Sequence, residues 1–193
     1  MQPDIDLVSR VVLAKDQRAF CLLVERHQSA IRAFLCRLTA GDHAAADDLA
    51  QETFLAAYSK LHTWQGTAQL ATWLHSIAYR KFLERVRREK RFDVVADVPE
   101  PEPQPAAGLP ADAEILAQQL MGLLGATDRA CMTLAYSVGL SHEEISGLVD
   151  LPLGSVKSRI HRSRLKLQQW LNDNDHSLPD SSNAQDEEQF HVG

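Results

Sequence analysis

Five of the eight prolines fall within residues 99–110, PEPEPQPAAGLP. Proline cannot sit inside a helix or donate to a strand ladder, so this stretch extends, and its acids repel one another. It divides the 193 residues into two modules, 1–92 and 112–171. The segment 93–111 is a flexible acidic linker, and 172–193 is a polar, acidic tail expected to be disordered. The second module, at ~60 residues, stands near the lower limit for a self-supporting core. No internal repeat is visible.

Both modules are helical by pattern. Leu7, Val8, Val11 and Val12 mark a first helix, and Phe20, Leu23, Val24, Ile31, Phe34, Leu35 and Leu38 keep helical spacing along a second that ends near Gly41. A third covers about 44–61, and a fourth starts near 66–68 and runs to about 91. The second module offers about 112–124, 127–138, 141–148 and 152–171. No segment alternates with period two. The fold class is therefore all-α, two small domains with a helix-turn-helix in the second.

The net charge of −6 looks wrong for a nucleic-acid binder until it is placed. Residues 93–114 and 172–193 each hold six acids and no Lys or Arg, which leaves +6 on the other 149 residues. Residues 80–91 hold seven Lys/Arg against two acids, and 157–166 hold five against none. Local basic blocks flanked by acidic segments point to nucleic-acid contact.

The sharpest motif is 139–166, GLSHEEISGLVDLPLGSVKSRIHRSRLK. Ser141 and Glu144 form an S-x-x-E capping box, and Pro152 suits the start of a second helix three residues beyond the first. At about 100° per residue, Val156, Ile160 and Leu167 share one stripe while Ser158, His161 and Arg162 lie opposite, flanked by Lys157, Arg159, Arg164 and Lys166. Such a helix suits the major groove. A solvated basic helix would carry the same pattern.

In ADDLAQETF, 46–54, the small residues Ala46, Ala50, Thr53 and Ala57 share an arc with Leu49 and allow close helix packing. The other arc sets Phe54, Leu55 and Tyr58 among Asp47, Asp48, Gln51 and Glu52. An apolar group rimmed by charge resembles a protein-docking patch, although an amphipathic helix with a wide core face would also produce it. In 62–91, Trp64, Trp73 and Tyr79 precede or join the basic run, and Gly66 is the pivot of a loop. Aromatics beside cations suit single-stranded nucleic acid. Trp73 and Tyr79 suit the core better than base stacking, and Trp64 suits either.

Other chemistry finds little support. The eight histidines have no metal-ligand spacing, and no P-loop, HExxH or nucleophile elbow occurs. His27 and His75 suit a helix surface or the core. No catalytic residue, metal or cofactor is expected, and the chain is not expected to be an enzyme. The scattered cysteines Cys21, Cys36 and Cys131 suit buried positions in a reducing cytoplasm. No run of 18 apolar residues argues for membrane insertion.

Taken in order, DDLAQETF (47–54), TWLHSIA (72–78), GLSHEEI (139–145) and PLGSVKSRIHRSR (152–164) resemble the extracytoplasmic-function group of bacterial sigma-70 factors, over about 4–171. The resemblance implies a cytoplasmic factor that binds core RNA polymerase at its clamp and flap and directs promoter recognition and transcription initiation. It implies clamp docking by Asp47, Asp48, Gln51, Glu52 and Phe54. It implies reading and melting of the −10 element by Trp64, Gln65 and Gly66 with Arg80, Lys81, Arg85, Arg87 and Arg88. The −35 element falls to Pro152, Gly154, Ser155, Lys157, Ser158, His161 and Arg162. An anti-sigma protein is an implied partner. Two departures stand out: Arg80 where the family often has Asn, and Leu124–Gly125 in place of Leu-Pro. A stand-alone helix-turn-helix regulator is the alternative, and the docking patch counts against it.

Overall fold

The computed structural model describes residues 3–93 and 113–175. The expected linker and most of the tail lie outside the described residues. Eight α-helices are described and no strand: α1 (Asp4–Ala14), α2 (Gln17–Leu38), α3 (His43–Lys60), α4 (Leu70–Asp93), α5 (Ala113–Gly122), α6 (Ala126–Thr133), α7 (His142–Val149) and α8 (Leu153–Asp175). A 3₁₀ turn, Leu61–Thr63, follows α3, and a π-helical turn, Leu134–Val138, extends α6.

In the first domain, α2 packs on α1, α3 and α4, and α3 packs on α4. Asp16 and Asp42 cap α2 and α3 by accepting from the Ala19 and Ala45 backbone N–H groups at 3.1 and 3.0 Å. Leu7, Leu35 and Leu38 are wholly buried. Each such side chain contributes roughly 1.5–3 kcal/mol on leaving water. His75 is also buried and meets Phe34 edge-on at 4.9 Å between ring centres. Its Nδ1 donates to the Ala71 C=O at 2.7 Å. Desolvation holds its pKa below the ordinary imidazole value, so the ring packs neutral.

The second domain packs α6 and α7 on α8. The capping box at the start of α7 is complete: Glu144 N–H donates to Ser141 Oγ at 3.2 Å, and Ser141 N–H donates to Glu144 Oε2 at 2.8 Å. Those bonds lower the Glu144 pKa. Asp150 closes α7 in the left-handed region (φ +56°), and Ser155 and Val156 N–H groups bond back to the Pro152 carbonyl. The connection over residues 150–152 makes the helix-turn-helix.

Three details differ from the sequence expectation. The fourth helix begins at Leu70, not at 66–68, because Trp64 Nε1 donates to the Ala68 C=O at 3.2 Å and Gly66 takes φ +73°, which together hold the loop closed. The last helix continues to Asp175, so 172–175 belong to α8; nothing in that stretch breaks a helix, and Asn174 donates to the Trp170 C=O at 2.8 Å. Cys21 is exposed, while Cys36 and Cys131 are buried. Cys21 lies two residues from both Ala19 and Leu23, which places it about 200° from the buried stripe of α2.

Candidate nucleic-acid and polymerase interface

α8 is oriented by its apolar stripe. Val156, Ile160 and Leu167 are buried, joined by Ser163, which the apolar pattern does not reveal. The opposite side therefore faces solvent: Pro152, Gly154, Lys157, Ser158, His161 and Arg162 are exposed and Ser155 is half-buried. Gly154, Ser155, Ser158, His161 and Arg162 line an open groove of about 560 Å³.

The five cations of 157–166 do not act alike. Arg159 donates to Asp128 on α6 at 2.6 Å, and this pairing raises its pKa. Lys166 Nζ donates to the Leu123 C=O at 2.7 Å. Both are committed to holding α8 against the preceding helices. Lys157, Arg162 and Arg164 remain exposed, and Arg162 bonds only locally, from Nε to the Ser158 C=O at 3.3 Å.

In the first domain, α3 turns Ala46, Leu49, Thr53 and Ala57 inward. Asp48 and Gln51 are exposed, and Asp47, Glu52 and Phe54 are half-buried. Leu55 is 71% exposed and Tyr58 41%, the latter set edge-on to Phe20 at 4.8 Å. The patch is thus an apolar strip with an acidic margin. Asp47 is already bound by Arg32 from α2, which lowers the carboxyl pKa. Helical spacing within α3 cannot show that partner.

The loop 64–69 presents Gln65 and Gly66 to solvent, with Trp64 half-buried. Between α3 and α4 lies a cavity of about 280 Å³ lined by Lys60, Thr63, Trp73, Ser76, Arg80 and Lys81 among others. Tyr79 is buried as expected, whereas Trp73 is half-buried and borders the cavity. Arg80, Arg87 and Arg88 are exposed. Lys81 is paired with Glu84 at 2.9 Å and lies 3.8 Å from Glu52. Arg85 is half-buried and paired with Glu89 at 2.7 Å. The structure brings Arg80 and Lys81 onto one cavity, and sets both the loop 64–69 and Arg85 apart from its lining. No group of three or more His, Cys, Asp or Glu that could hold a metal occurs among the described residues.

A helix-turn-helix with an outward polar groove is thus combined with a first domain that carries an apolar strip with an acidic margin. Residues 23–92 match the family model Sigma-70 region 2, and residues 115–167 match Sigma-70, region 4. The RNA polymerase sigma-H factor of Pseudomonas aeruginosa is 34% identical over 84% of this chain and 91% of its own length. The ECF RNA polymerase sigma factor SigW of Bacillus subtilis is 33% identical over 82% and 91%. Among solved structures, the sigma factor RpoE in complex with the anti-sigma factor NepR from Bartonella quintana superposes with a TM-score of 0.66 at 26% identity, covering 79% of this chain and 96% of that one. CnrH in complex with the cytosolic domain of CnrY gives 0.62 at 26% identity, covering 89% and 98%. The chain belongs to the sigma-70 family, in its extracytoplasmic-function group, and is an RNA polymerase sigma factor.

Proposed function

We propose that the three surfaces divide promoter recognition among them. The strip on α3 docks on the polymerase clamp through Asp48, Gln51, Glu52 and Phe54, with Asp47 held at its edge by Arg32. The loop 64–69, through Trp64, Gln65 and Gly66, and the cavity between α3 and α4, with Arg80 and Lys81 on its wall, capture unpaired bases of the −10 element. Arg87 and Arg88 meet phosphates further along α4, and Arg85 is available to DNA only if its side leaves the second domain. The groove of α8 reads the −35 element through Ser158, His161 and Arg162, with Gly154, Ser155, Pro152 and Lys157 at the phosphates. The flap of the polymerase is the partner of the second domain.

The mechanism is binding rather than catalysis, with melting driven by capture of unpaired bases. The factor acts in the cytoplasm, and no helix among the described residues is long and apolar enough to cross a membrane. An anti-sigma protein is a further partner, in line with the complexes of RpoE and CnrH.

The observation that carries this reading is the groove of α8: the stripe that fixes the helix inward leaves Ser158, His161 and Arg162 exposed on the groove, where Arg162 bonds only to the Ser158 C=O of its own helix. The test is run-off transcription with purified core polymerase on a genomic library, after co-purification of the two. Transcripts should start downstream of a shared pair of elements. Absence of co-purification would remove the reading.

A further inference from the structure

The outward face of α8 runs on past its proposed reading residues. At about 100° per residue, Leu165, Gln168, Gln169 and Asn172 continue the stripe of Ser158, His161 and Arg162, and all four are exposed. Leu165 is half uncovered, at 50%. The face has two halves. No acid occurs from Pro152 to Asn172, the groove at the head of the helix has none in its lining, and Lys157, Arg162 and Arg164 stand exposed around it. Beyond Lys166 the helix has no cation, and its outward stripe is made of amides.

A phosphate backbone suits only the first half. An exposed leucine gains nothing from a phosphate, and an amide brings it no countercharge. Both groups suit a peptide, whose backbone donates to and accepts from a side-chain amide and whose side chains cover a leucine.

The chain carries a peptide of that kind beyond Asp175. Residues 176–185, HSLPDSSNAQ, hold one acid, then Asp186, Glu187 and Glu188 follow in a row, and 176–193 hold no Lys or Arg. The order is that of an antiparallel return along α8: polar residues come level with the amides first, and acids come level with the cations after. Length agrees. Pro179 is the first residue past Asp175 that a helix interior rejects. At ~3.3 Å per residue, Asp186 to Glu188 reach about 23–30 Å beyond Pro179. At ~1.5 Å per residue, Arg162 lies about 20 Å back from Asp175 and Lys157 about 27 Å.

We propose that residues 180–188 return along α8 and occupy its outward face, with Asp186, Glu187 and Glu188 at Lys157 and Arg162, so that the chain's own acidic segment competes with DNA for the reading helix. A tethered segment acts at an effective concentration on the order of mM. The competition rests on the assignment of α8 to DNA; the contact itself does not.

Carbodiimide cross-linking of the free, full-length protein at low salt tests the contact, since it joins a lysine amine to a carboxylate beside it through an amide. Mass spectrometry should find Lys157 linked to residues 186–188, in a yield unchanged by dilution. Two variants test the competition. Asp186→Asn with Glu187→Gln and Glu188→Gln removes the acids. The second keeps every charge and moves the triplet: Ser181→Asp, Ser182→Glu, Asn183→Glu, Asp186→Ser, Glu187→Ser and Glu188→Asn place it about 7–13 Å past Pro179, short of Arg162. Both should lose the link from Lys157 to the acidic triplet. Both should bind a random duplex about two- to tenfold tighter than the parent at low salt, the gain for a face covered in a half to nine-tenths of molecules. The three should converge at high salt.

Absence of the Lys157 link in the parent would overturn the proposal. So would tighter binding by the neutral variant alone, which would be repulsion at a distance. Equal affinities in all three, with a cognate −35 duplex still preferred to a scrambled one, would overturn the competition. If none of the three prefers the cognate duplex, the assignment of α8 to DNA fails instead, while the link, read without DNA, still reports the contact.

Discussion

In the second domain the proposed reading face lies mostly on one helix, α8, and a single buried stripe fixes its rotation. In the first domain the proposed docking and −10 surfaces draw on α2, α3, the loop 64–69 and α4, and several of their charges are already engaged: Asp47 by Arg32, Lys81 by Glu84, Arg85 by Glu89. A surface built on one helix can lose a side chain without disturbing its neighbours. A surface assembled from several elements uses its charges both to hold itself together and to meet a partner.

The largest effect should therefore come from the residues of α3 that are exposed and free of such duties. Asp48→Arg with Gln51→Arg should weaken core polymerase binding by about 2–4 kcal/mol, the scale of interface hot spots, in a competition assay against the parent. Asp47→Asn should cost much less, since Arg32 already holds that carboxylate. Parent-like binding by the double variant would break the docking assignment, and a larger loss at Asp47 would reverse the division between engaged and free charges.

Arg162 gives the matching measurement in the second domain. Arg162→Ala should lose about 1–3 kcal/mol on a cognate −35 duplex, as expected for a base-edge contact, and less on a scrambled one. Equal losses on both would make it a phosphate contact and leave specificity to Ser158 and His161.

The same contrast explains how much the amino-acid pattern can show. Helical periodicity follows from one element, so the rotation of α8, the capping box at Ser141 and Glu144, and the inward arc of Ala46, Leu49, Thr53 and Ala57 are legible in the order of residues alone. Contacts between elements are not. Nothing in the spacing of α3 points to Arg32, which is fifteen residues from Asp47. Nothing in the basic run of α8 separates Arg159 and Lys166, which hold the fold, from Lys157 and Arg164. Gly41 is legible as a helix stop, but not as the point where Gln118 of the other domain comes to rest. Periodicity misplaces the start of α4 because the bond that closes the loop, Trp64 to Ala68, involves a side chain equally suited to stacking on a base.

A smaller effect is expected from the turn that presents α8. Ser141→Ala removes the side-chain acceptor for the Glu144 N–H and should lower stability by about 1 kcal/mol in denaturant unfolding. A selective loss of −35 binding beyond that destabilisation would show that α7 positions α8 directly; an unchanged midpoint would mean that packing on the first domain stabilises α7 without its cap.

The smallest effect separates the two uses of cation on α8. Each phosphate contact releases counterions and contributes about 0.9 to the slope of log affinity against log salt. Lys157 and Arg164 are exposed with no fold partner among the contacts described, so Lys157→Ala and Arg164→Ala should each flatten that slope by about one such increment on a non-specific duplex. Arg159 is held by Asp128 at 2.6 Å, and a guanidinium in that pair must leave it to reach a phosphate. Arg159→Ala should therefore leave the slope near that of the parent and appear instead as a loss of stability, because Asp128 is left without its partner. The measurement is fluorescence anisotropy on a random duplex at several salt concentrations, with a thermal melt beside it. If Arg159→Ala flattens the slope as much as Arg164→Ala, then Asp128 gives up its arginine when DNA binds, and the second domain shares the double use of charge that distinguishes the first.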